Sequence, residues 1–120
     1  MEKDLICIFT EMLSQLRILH WQTESYARHI AYEKIYENLE DYVDEFIEAY
    51  QGKNGRIKIV SQPQIMNIDD DNVNGFANEH IDFLSNGINE FASEEDVDLL
   101  AIRDEMVKEL NILKYLLTLE

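Results

Sequence analysis

The chain has 120 residues, 46% hydrophobic and 29% charged, which suits one domain with a modest core and leaves no room for two. Acidic residues number 25 against 10 basic ones, a formal net charge of −15 that speaks against a general phosphate-binding surface and favours cations or basic proteins as partners. The lone Cys7 excludes an internal disulfide, no apolar run approaches the roughly 18 residues of a membrane span, and the opening MEKDLICIFTEM is acidic where a signal peptide is basic, so a cytoplasmic chain is expected.

Leu5, Phe9, Met12, Leu13, Leu16 and Leu19 recur at three- and four-residue spacing, which predicts a first helix over about residues 3–26 with one buried face. Cys7 lies among these apolar residues and is expected to be buried; His20, four residues after Leu16, falls on or beside the same stripe. Tyr32, Ile35, Leu39, Val43, Phe46 and Tyr50 predict a second helix, ended at Gly52 by a residue free to take positive φ.

Residues 52–74 break the pattern with glycines, the basic run around Lys53, Arg56 and Lys58, the single Pro63 and the turn-rich NIDDDNVNG, predicting a connection of about 22 residues. Asp70, Asn72, Asn74 and Gly75 match the first half of a calcium loop, but the twelfth position would be Ile81 where a bidentate glutamate is needed, so a turn is expected. GKNGR lacks the serine or threonine of a phosphate-binding loop and reads as a solvated turn. Phe76, His80, Phe83, Leu84, Ile88 and Phe91 predict a third helix with His80 as a structural residue on its apolar face. Ser93 and Asp96 resemble a capping box that opens a fourth helix carrying Leu99, Ile102, Met106, Leu110, Leu113 and Leu117.

Short, long and short links join these four helices. A second helix of about 23 residues is about 35 Å long, a distance the long connection spans easily. The expected fold is therefore an all-α, ferritin-like four-helix bundle with one long crossover, a single domain over residues 1–120, ahead of a simple up-down-up-down bundle.

On the second helix His29, Glu33, Glu40, Asp44 and Glu48 share a stripe well away from the apolar face. An acidic stripe is ordinarily a solvated face, but His29 with Glu33 and Asp44 with Glu48 are i, i+4 pairs, and each pair can offer donors to one cation from adjacent turns. The pairs lie roughly 22 Å apart along the axis, so one chain cannot bring them to one ion; two antiparallel copies about a twofold axis can. The intrachain E-x-x-H pattern of larger di-iron bundles is absent from the sequence.

The order HWQTESYARHIAYE followed by DEFIE, across the first two helices, resembles the ferroxidase motif of the Dps-type mini-ferritins, including short Dps-like proteins of tailed bacteriophages and other large viruses. The resemblance implies that His20, His29 and Glu33 of one subunit face Asp44 and Glu48 of its twofold mate. It further implies an iron site that oxidises Fe(II) with peroxide or dioxygen, a homo-oligomer up to a shell of twelve subunits, and a role for Trp21 near the metal. The lysine-rich tail through which some members bind DNA is missing, so tail-mediated nucleic-acid binding is not expected; a viral member would reside in host cytoplasm or virion. Carboxylates are hard ligands that favour Fe(III), and neutral imidazoles complete such a site. The competing expectation is a non-catalytic bundle, a viral structural or host-interaction protein whose acidic surface engages a basic partner.

Overall fold

Asp4 starts the first helix: its carboxylate accepts the backbone N–H of Cys7 at 2.8 Å, satisfying one of the amides a helix start leaves unpaired. The computed structural model describes residues 3–119, and within them the chain forms four α-helices and no strand. These are α1 (Leu5–Gln22), α2 (Tyr26–Asn54), α3 (Val73–Ser85) and α4 (Val97–Leu116). The apolar stripes read from the sequence converge in one core, where Phe9, Leu16, Tyr32, Ile35, Leu39, Phe46, Leu84 and Met106 are all but inaccessible. Cys7 is buried, as expected. No described helix is long and apolar enough to cross a membrane.

Boundaries differ from the expected ones for local reasons. The first helix ends at Gln22 and not at residue 26, because Ser25 caps a new helix by accepting the amide of Arg28 at 3.2 Å. The second runs through Gly52 to Asn54; the positive φ falls at Gly55, 89° with ψ 173°, a region essentially reserved for glycine. Gly55→Ala is thus expected to cost about 1–3 kcal/mol in a urea titration. Gly52→Ala, inside the helix with open space around a new Cβ, should gain up to about 1 kcal/mol. The third helix stops at Ser85, and Ile88 reaches the core from a separate 3-10 turn, Gly87–Glu90. Asp96, rather than Ser93, stands at the N-cap of α4; its carboxylate turns back to accept the Ser93 amide at 2.8 Å.

Contacts between elements fix how the helices run. Lys53 pairs with Asp96 and Asp98 near the start of α4, Tyr42 reaches Glu105, and Asn38 donates to the buried Glu109, so α2 and α4 are antiparallel. Arg103 caps the Leu84 carbonyl while Lys114 reaches Asn78, so α3 and α4 are antiparallel as well.

The connection between α2 and α3 lies along α1, held by a row of α1 side chains that bond to its backbone. Asp4 accepts the Val60 amide at 2.9 Å, Glu11 accepts the Gln64 amide at 2.8 Å, and Gln15 both donates to and accepts from the Met66 backbone. Gln22 then reaches Asn67, and Thr23 reaches Asp70. Asp4, Glu11, Gln15 and Gln22 are spaced by seven, four and seven residues, one row on the helix. Burial raises the Asp4 carboxyl's pKa, but the N–H groups of Val60 and Cys7 and the Ser61 hydroxyl outweigh it and hold it below the usual value.

Candidate functional site

The turn between α1 and α2 is only residues 23–25, and it folds His20 and His29 against each other. Their rings stack with centroids 3.8 Å apart and planes 19° apart. Each ring nitrogen Nδ1 lies 2.8 Å from the other residue's backbone carbonyl oxygen. A carbonyl only accepts, so both Nδ1 atoms carry protons and donate them. In the neutral rings each Nε2 therefore keeps its lone pair. Metal-binding histidines commonly have this arrangement, one nitrogen fixed on a carbonyl and the other left basic. His20 is buried and His29 half-buried, with the exposed Tyr26 ring stacked on His29 at 6.4 Å.

Of the five residues singled out by the sequence, the structure brings only these two into direct contact. Glu33 is half-buried one turn along α2; Asp44 and Glu48 are exposed further down it. Among the described residues no three His, Cys, Asp or Glu side chains gather into a group able to hold a metal ion. Within one chain, then, the histidine pair and the Asp44–Glu48 pair remain separate, as the axial distance of roughly 22 Å requires.

Periodicity did not reveal the network behind the histidine corner. The Asp70 carboxylate accepts the Tyr32 hydroxyl at 2.8 Å and the Thr23 hydroxyl at 2.7 Å, while its backbone carbonyl accepts Arg28 Nη1 at 2.7 Å. Burial, opposed by Arg28 and reinforced by Asp70, pushes the Tyr32 hydroxyl up to about 12. Asp70, the first residue of the rejected calcium-loop match, thus ties the end of the long connection to the turn that shapes the histidine pair. His80 lines a cleft of about 400 Å³ between α1, the connection and α3, packed on Phe76 at 4.7 Å; burial lowers its pKa to about 4 despite the attraction of Glu11.

An all-α four-helix protein with a carbonyl-locked histidine pair at the α1–α2 corner is the class that these features define. The chain belongs to DUF5856, a family of unknown function, whose profile matches residues 20–117 and so begins at His20. It is also 33% identical over 101 residues, 84% of this chain and 75% of the other, to an uncharacterised 14.6 kDa protein of Enterobacteria phage T4 from the mobD–ri intergenic region. No solved structure matches the chain.

Proposed function

We propose that the protein binds Fe(II) at a site shared by two copies of the chain, the histidine pair of one facing Asp44 and Glu48 of the other, in a ferritin-like bundle with a single crossover. The observation that carries this reading is the reciprocal His20–His29 lock, which holds both rings in the tautomer whose Nε2 can bind a metal. The connection laid lengthwise along α1 agrees with the crossover topology. Glu33, four residues past His29, is placed to add an oxygen donor. Ferroxidase action at such a site would move one electron from each of two Fe(II) ions to peroxide, which leaves as two hydroxides. The phage relative supports a setting in an infected cell or a virion.

Anaerobic Fe(II) titration tests the reading. The wild type is expected to show saturable binding, and Asp44→Ala/Glu48→Ala, at two exposed positions that carry no core packing, to weaken it by at least about tenfold, as removal of metal ligands does. Equally little iron in both proteins sinks the proposal. That result favours a second reading: Asp44 and Glu48 are exposed on a chain of net charge −15, the surface expected of a non-catalytic bundle that engages a basic partner.

A further inference from the structure

Next to the histidine corner, on the outer face of α1 and α2, lies an apolar cleft of about 440 Å³ that includes Leu13, Arg17, Ile18, Trp21, Tyr36 and Ile65. Trp21 is 69% exposed and Ile65, on the connection, 50%. A single apolar side chain on a surface is ordinary; a tryptophan standing over an apolar cleft is not. No carboxylate lines the cleft, although the chain carries 25 of them.

Arg17 is part of its lining, with its guanidinium carbon 4.1 Å from the Tyr36 ring centroid and 6.0 Å from that of Trp21. Stacking fixes the plane of the group while leaving its N–H edges unspent: Arg17 makes no hydrogen bond or ion pair among the described residues. Glu33 and Glu40 flank Tyr36 at helical spacing on α2, acids set beside the same face.

The geometry points to this face as the docking surface for a second copy of the chain, an inference that rests on the two-copy reading and names the surface it needs. Two chains of charge −15 repel wherever carboxylates meet, so contact is favoured where carboxylates are missing. The face is also self-complementary. It presents a protruding ring, Trp21, beside a cleft able to receive one, and a fixed cation, Arg17, beside an acidic rim. Each requirement of one copy is met by the other, which is the condition for a closed twofold pair. Docking here excludes water around Trp21 and Arg17, residue types that dominate interface energetics, and brings the neighbouring histidine corner up to the partner.

Sedimentation equilibrium and the fluorescence of the only tryptophan test this, with helical circular dichroism confirming that each variant folds. The wild type is expected at an even multiple of the chain mass, with Trp21 emission at short wavelength and shielded from acrylamide. Arg17→Glu and Ile65→Lys should raise the dissociation midpoint by at least about 30-fold and expose Trp21 to the quencher. Tyr115→Lys, at an exposed aromatic on α4, should leave both signals unchanged. A wild-type monomer throughout the micromolar range, or open-ended growth with concentration, overturns the inference. An oligomer that survives Arg17→Glu with Trp21 still exposed also overturns it, while leaving the two-copy reading intact. Loss of association in both face variants, in a protein that takes up no iron, upholds the face and removes the metal site instead.

Discussion

Asp70→Ala is expected to lower the unfolding free energy by roughly 3 kcal/mol, a large share of what a domain of this size has to lose. The carboxylate accepts two hydroxyl hydrogen bonds, and one of its donors, Tyr32, is fully buried. Removing the acceptor costs more than the bonds themselves, because it leaves the hydroxyl proton of a buried tyrosine without its acceptor. Tyr32→Phe deletes the donor and leaves Asp70 able to reach solvent at its half-exposed end, so it should cost about 1 kcal/mol. The two substitutions share a bond and should be non-additive by at least about 1 kcal/mol in a double-mutant cycle on urea midpoints. Additive losses would show that the Tyr32–Asp70 bond carries no stability of its own.

The same network sets an alkaline limit. Tyr32 titrates at about 12 in the folded chain against an ordinary 10.0, so folding favours its protonated form. The stability this supplies is complete below pH 10 and drains away as pH climbs from 10 towards 12, where the folded state gives up the proton too. A Tyr32→Phe protein should lack that alkaline loss, and matching profiles for the two proteins would exclude Tyr32 as its source.

Helix existence was legible from apolar spacing because burial selects residues every three or four positions, and the buried set of α2, from Ala31 through Tyr32, Ile35, Leu39 and Val43 to Phe46, follows that spacing. Boundaries were less legible where no glycine or proline marks them. The break at residues 23–25 is made by Thr23 and Ser25, polar residues that also occur inside helices; only the Ser25 cap and the Thr23–Asp70 bond commit them to a turn. Gly52 was the wrong glycine of two, since either could end a helix by sequence and only Gly55 takes the required φ. At Gly87 the reason is spatial: an added Cβ would come within 2.6 Å of the Phe83 ring, a contact that spacing along the chain does not reveal.

The row that straps the connection to α1 was hidden for a different reason. Its partners are backbone amides of residues 60, 64 and 66, which have no sequence signature, so Asp4, Glu11 and Gln15 look like solvated polar positions. For the candidate site, the i, i+4 pairs on α2 were visible as spacing, and the structure leaves Asp44 and Glu48 exposed on one helix face. The stacking of His20 on His29 was not visible, because it depends on the turn between them and not on the period of either helix. Polar side chains that answer to backbone atoms are the recurring blind spot. In this chain they hold both the connection and the histidine corner.

His80 should give the protein an acid-sensitive stability that begins near neutral pH. The imidazole is packed on Phe76 in the cleft beneath the connection, where burial lowers its pKa to about 4; Glu11 draws it back up and Lys3 opposes that. From about 6.5 downward the unfolded chain accepts a proton that the folded chain refuses. Stability from this residue is therefore whole above pH 6.5 and is lost progressively as pH falls towards 4, with a total of roughly 3 kcal/mol and about 2 kcal/mol of it gone by pH 5. Self-repulsion works the other way, since acidification relieves a net charge of −15, so the wild-type profile alone mixes two trends. His80→Gln separates them: it keeps a neutral polar side chain on α3 and cannot take up the proton. Urea midpoints of both proteins between pH 7.5 and 4.5 should diverge below pH 6.5, the variant losing less than the wild type. Parallel curves over that range would mean that His80 protonates as easily in the folded chain as in the unfolded one, and that its place beneath the connection is not dry.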